Sequence, residues 1–211
     1  MKIALVAATG NIGRHIADRA LQRGHQVTAI ARSARTLGPE LAGAKLAVAA
    51  LDDAGALAAA ARGNDVLASA YGPGAADAGE IVTATRHLIA AARASGVRRL
   101  VVVGGAGSLE VAPGVQLVDA PTFPAAYKPY AIAHREALGL LRAATDLDWT
   151  FYAPAAEIGP GEAVGAFRTG TKSLIAGSDG RSRISYPDYA QAFVDELEAP
   201  RFTKQVATVA Y

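Results

Sequence analysis

The segment Lys2-Ile-Ala-Leu-Val-Ala-Ala-Thr-Gly-Asn-Ile-Gly-Arg14 constrains the fold more than any other part of the chain. The apolar run from Ile3 to Ala7 reads as a buried strand, the glycines after it as a tight turn, and the residues beyond as the start of a helix. Such a turn lets backbone N–H groups approach a pyrophosphate, and the following helix aims the positive end of its dipole at the same charge. Gly10 permits close backbone approach, and Gly13 permits the helix to seat closely on the strand. Where the G-x-x-G-x-x-G spacing would put its first glycine, this chain has Ala7. An ordinary strand–turn–helix is the plain alternative. A second strand at Gln26–Ala31, at the distance a βαβ unit requires, favours the phosphate turn.

Apolar strand-like runs then alternate with alanine-rich helical stretches, which predicts an α/β fold with a doubly wound parallel sheet covered on both faces. Strands are expected near 2–7, 26–31, 45–50, 65–70, 99–104, 149–153 and 205–210, and helices near 12–23, 53–61, 80–95, 126–144 and 187–198. Ser95-Gly96 reads as a helix stop, Pro187-Asp188 as a helix start, and Asp53 as a cap for the helix after it. The 211 residues fit one Rossmann-type domain, 1–211, with a small C-terminal extension on the substrate side. Two glycine- and proline-rich segments, 105–125 and 154–182, are too long for simple connections and read as covers over a ligand edge.

Composition removes several classes. No apolar run approaches the roughly 18 residues that span a bilayer. The first strand begins at once, which predicts no signal peptide. There is no cysteine, and the four histidines are scattered without metal-ligand spacing, so no metal is expected. A net charge of +2 with interspersed signs argues against nucleic acid. The expectation is a cytoplasmic monomer or homodimer acting on a small-molecule substrate, with neither nucleic acid nor membrane as partner.

The end of the second strand bears on cofactor choice. A site for NAD usually carries Asp or Glu there to hold the ribose 2′-hydroxyl. This chain has Arg32, then Ser33 and Arg35, and Arg14 lies just inside the first helix. A guanidinium grips a 2′-phosphate through two hydrogen bonds, so NADP(H) is expected over NAD(H). Solvated surface charge is the plain alternative.

Ala7-Ala-Thr-Gly-Asn-Ile-Gly13, Gly24-His-Gln-Val-Thr-Ala-Ile-Ala-Arg32, Asp148-Trp-Thr-Phe-Tyr-Ala-Pro154 and Ile184-Ser-Tyr-Pro-Asp-Tyr-Ala190 together resemble the atypical short-chain dehydrogenase/reductase superfamily. Within it the chain is similar to small NAD(P)H-binding proteins related to NmrA, to biliverdin reductase B (a flavin reductase) and to proposed NADH–flavin reductases. The resemblance implies cofactor contacts from Ala8, Thr9, Gly10, Asn11, Ile12 and Gly13 in the turn, and from Leu51 after the third strand. Ala70, Tyr71 and Gly72 would pass beneath the cofactor, Gly104 would flank the nicotinamide ribose, and Pro154 and Ala155 would lie beside the carboxamide. Ala50 stands where relatives carry an adenine-binding Asp.

For catalysis, the superfamily commonly uses Tyr-x-x-x-Lys with a Ser after the fifth strand. This chain offers Tyr130-Ala-Ile-Ala-His134 in that register, so His134 replaces the lysine, and Ser108 is the candidate hydroxyl. The i, i+4 spacing puts Tyr130 and His134 on one helix face. They are either a proton-transfer couple or lining and surface residues of that helix; Ser108 is either the hydroxyl or a loop residue. Phe123, Tyr127, Trp149 and Tyr152 offer stacking surface, the last two with core as the alternative. Two functions follow: an NADP(H)-dependent oxidoreductase passing hydride to a flavin, quinone or similar planar acceptor, or a non-catalytic redox sensor like NmrA.

Overall fold

Strands sandwiched between two helical layers need apolar side chains on both faces, and β1 (Lys2–Val6) meets that need. Its Ile3 and Leu5 belong to one core, while Ala4 and Val6 belong to the other. The computed structural model describes residues 1–34, 36–74 and 77–211. After β1 come α1 (Asn11–Gln22), β2 (Gln26–Ala31), β3 (Lys45–Val48), α2 (Ala54–Ala61), β4 (Val66–Ser69), α3 (Glu80–Ser95) and β5 (Arg99–Val103). Then follow β6 (Glu110–Ala112), β7 (Val115–Gln116), α4 (Lys128–Ala143), β8 (Asp148–Ala153), β9 (Glu157–Gly159), β10 (Arg168–Gly170), β11 (Arg183–Ser185), α5 (Tyr186–Glu198) and β12 (Gln205–Ala210).

Among the described residues the main sheet runs β10-β12-β8-β5-β4-β1-β2-β3. Helices α1 and α5 cover one face, with α2, α3 and α4 on the other. This is the doubly wound α/β fold that the alternation predicts. Strand order reverses between β1 and β4, so the crevice for a ligand lies at the carboxyl ends of those strands. The expected local stops hold as well. Asp53 accepts from the Ala56 N–H at 2.9 Å at the head of α2, and Gly96 ends α3 at φ +78°.

Two corrections concern the long segments expected as covers. The sheet is not wholly parallel: β10, inside 154–182, adds an antiparallel edge to β12. Within the covers, β6 pairs β7 and β9 pairs β11, while Glu110 exchanges backbone hydrogen bonds with Lys172 and Leu174 at 2.7 and 2.9 Å. The two segments are therefore pinned to each other. No helix among the described residues is long and apolar enough to cross a membrane.

Candidate functional site

The site starts at the turn after β1. Ala7, which stands where a glycine is expected, keeps the glycine's geometry at φ +58°. That conformation costs an L-residue roughly 1–2 kcal/mol and persists because its surroundings fix it. The Ala7 N–H donates to Ile30 O at 3.2 Å, and Ala7 O accepts from the Gly10 N–H at 3.0 Å. A Cβ on Gly13 would lie 2.1 Å from the same carbonyl, so only glycine lets α1 sit this close. Gly10 opens α1 with no side-chain cap, and the first turn holds no acid. The helix's positive end is left for an anion, as a phosphate cradle requires.

Above this turn lies a cleft of about 370 Å³, lined by Thr9, Gly10, Arg32, Leu51, Tyr71 and Glu80 among others. Gly72 lines it too. Ala8 is buried beneath the turn, Asn11 is exposed, and Ile12 and Ala70 pack against the core under α1 and α5. Arg32 is exposed at the end of β2, at the position argued from the sequence, whereas Arg35 lies outside the described residues. Glu80 was not foreseen. It reaches the cleft from the head of α3 and accepts a 2.5 Å hydrogen bond from the Tyr71 hydroxyl. Burial first, and then Glu80, push the Tyr71 phenol up to about 12, with Arg32 acting in the opposite sense.

Beyond β5 a second cavity, of about 430 Å³, is lined by Gly105, Leu117, Phe123, Tyr127, Tyr130 and His134, and also by Ala156 and Glu157. The sequence spacing thus places Tyr130 and His134 in one cavity. Tyr130 also packs against Ile81, Ala133 and Ala137, joining α4 to α3. His134 sits edge-on to Phe151, with ring centroids 6.1 Å apart at 76°. Burial pushes its imidazole down to about 4, so it is neutral at ordinary pH and supplies no ammonium-like charge. The two glycines after β5 make room for these rings. A Cβ on Gly104 would lie 2.2 Å from Phe151 Cε1, and one on Gly105 would lie 2.8 Å from His134 Cδ2.

Other expected residues fall elsewhere. Ser108 is buried, does not line the cavity, and its Oγ has no hydrogen-bond partner. It lies at the end of a short 3-10 turn (Ala106–Ser108), where it is buried. Pro154 and Ala155 are likewise buried wall, and the accessible positions are the next two, Ala156 and Glu157. Of the four candidate stacking residues, Phe123 and Tyr127 line the cavity, while Trp149 and Tyr152 are core, 4 % and 1 % exposed. Glu157 pairs with Arg181, which holds its carboxyl below the usual range. No cluster of three or more His, Asp or Glu among the described residues is placed to hold a metal.

A glycine cradle and an uncapped helix start at the switch point of a doubly wound sheet define a nucleotide-binding Rossmann protein. The chain belongs to the NAD(P)H-binding family, whose model matches residues 7–200, and it is an atypical short-chain dehydrogenase/reductase-like protein. It is 37% identical over 212 residues to the uncharacterized protein YwnB of Bacillus subtilis (strain 168), covering 99% of this chain and 98% of that one. A solved structure from Burkholderia pseudomallei, named as a proposed exported protein, is 54% identical with a TM-score of 0.94 over 100% of both chains. A proposed NADH-flavin reductase from Streptococcus pneumoniae TIGR4 is 33% identical with a TM-score of 0.89, over 100% of this chain and 99% of that one.

Proposed function

We propose that the protein is an NADP(H)-dependent oxidoreductase that passes hydride to a flavin, a quinone or a similar small planar acceptor, working in the cytoplasm as a monomer or homodimer. The observation that carries this reading is the cavity of about 430 Å³ beyond β5, two strands along the sheet from the phosphate turn, whose lining is mainly rings and small apolar residues. The Streptococcus relative, a proposed NADH-flavin reductase, agrees with it. Gly10, the head of α1 and Thr9 would hold the pyrophosphate, and Arg32 the 2′-phosphate. When bound, the nicotinamide supplies the hydride. Phe123, Tyr127 and Tyr130 stack and orient the acceptor, and positioning of that kind accounts for much of the acceleration when no obligatory proton donor is needed.

A sensor without catalysis, like NmrA, is the second reading. The neutral imidazole in place of the family's lysine favours it. The deciding experiment is NADPH oxidation by the purified protein over a panel of flavins and quinones. Turnover with at least one acceptor is expected. NADPH binding with no oxidation by any acceptor overturns the reductase and leaves the sensor.

A further inference from the structure

The cleft that would hold the adenosine end of the cofactor contains two opposed charges from separate elements. Arg32 enters from the end of β2 and Glu80 from the first turn of α3. Tyr71 lines the same cleft; its hydroxyl donates to Glu80 at 2.5 Å, and its phenol also feels the charge of Arg32. We propose that Glu80, held by Tyr71, sets the ratio of affinities for the unphosphorylated and phosphorylated nicotinamide dinucleotides. The proposal rests on the functional reading above.

The chemistry of the two ligands differs at one position. A 2′-phosphate brings about two negative charges and several acceptor oxygens, and it carries no donor for a carboxylate. It gains from Arg32 and is repelled by Glu80. A ribose 2′-hydroxyl is a donor, and carboxylates hold it in NAD-binding sites, where the acid ordinarily stands at the end of the second strand. Here that strand end carries Arg32, and the acid arrives in the same cleft from across the switch point between β1 and β4. One group thus suits each cofactor. Arg32 on its own would favour NADPH strongly; with Glu80 opposite, the preference is moderated and NADH remains a usable ligand.

A plainer role exists for Glu80. An acid in the first turn of a helix favours the dipole, which needs no ligand. That role does not explain why Tyr71, outside α3, reaches over to bind it. The two roles also separate by experiment. A dipole contact contributes to stability and leaves the cofactor ratio untouched.

The test is a titration of NADPH and of NADH into the full-length protein and its Glu80→Gln, Tyr71→Phe and Arg32→Ala variants, read by binding rather than turnover. Glu80→Gln should shift the ratio of dissociation constants about tenfold toward NADPH, the scale of a screened contact between charges. Tyr71→Phe, which frees the Glu80 side chain, should move the ratio the same way by a smaller factor. Arg32→Ala should move it the other way. If the wild type binds both dinucleotides and Glu80→Gln leaves the ratio within about twofold, the inference falls and the functional reading stands. If the wild type binds neither, the functional reading falls and takes the inference with it.

Discussion

Asp188 anchors Val164 and Gly165 of the long segment after β8, and Asp188→Asn is the sharpest test of that anchor. The carboxylate lies in the first turn of α5 and is 0 % exposed. Its oxygens accept from the Val164 N–H at 2.7 Å, the Gly165 N–H at 3.0 Å, the Tyr211 hydroxyl at 2.7 Å and the Ser185 hydroxyl at 3.4 Å. Burial alone would raise its pKa. The donors, led by Tyr211, more than offset that and hold it below the usual carboxylate range. Asparagine keeps one acceptor oxygen and turns an NH₂ toward the Val164 or the Gly165 N–H, which can only donate. About two charge-assisted bonds are lost, each contributing roughly 1.5–3 kcal/mol, and partial relaxation leaves an expected cost of about 3 kcal/mol at pH 7. Because the folded value is depressed, the stabilisation is full above the unfolded carboxylate pKa and fades as pH falls through the folded one. Urea unfolding of both proteins between neutral and acid pH should therefore show a gap that narrows on acidification. Amide exchange at Val164 and Gly165 should quicken in the variant. A gap under about 1 kcal/mol at pH 7, with exchange unchanged at both amides, refutes the anchoring argument.

Three further outcomes are expected. Arg32→Ala should weaken NADPH by about 1.5–3 kcal/mol and spare NADH, as calorimetric titration of both cofactors would show. Gly13→Ala puts a Cβ 2.1 Å from Ala7 O, so it should abolish binding of either cofactor and cost about 1–3 kcal/mol of stability by thermal melting. Tyr130→Phe should change quinone turnover only a few-fold with NADPH affinity unchanged; a loss beyond about a hundredfold would make Tyr130 the catalytic acid.

The fold was legible where local signals agreed with tertiary demand. β2, α3 and β12 run over Gln26–Ala31, Glu80–Ser95 and Gln205–Ala210, the bounds read from the sequence. Each is long enough for a pattern to show, and α3 ends on a glycine that takes positive φ. The strands β6, β7, β9, β10 and β11 were not legible, because two or three residues hold no measurable period and are fixed by distant partners. The turn's degenerate first position was legible as a departure, but only coordinates show that Ala7 adopts the glycine conformation. Trp149 and Tyr152 lie on a strand buried on both faces, where an unbroken apolar run says nothing about which side meets a ligand. Glu80 stayed hidden because its role depends on Tyr71, which belongs to a different element.

If the ring-lined cavity takes the proposed acceptor, its chemistry is restricted partly by what His134 does not supply. Reduction of an isolated carbonyl concentrates negative charge on one oxygen, and an apolar pocket stabilises such a charge poorly without a nearby cation or an acid of matched pKa. In the family's usual arrangement a lysine would provide that positive potential. Here the same position carries an imidazole held neutral by burial, with its pKa pushed down to about 4. The carboxylate that lines the cavity, Glu157, has the wrong sign for an alkoxide, although Arg181 partly balances it. A flavin or quinone avoids the problem because its added charge spreads over a conjugated ring system. Such a ring presents a flat apolar face, and Phe123, Tyr127 and Tyr130 can meet it by stacking. The loss of the lysine and the gain of an aromatic wall therefore favour the same acceptors, and neither change by itself would distinguish them from carbonyl compounds.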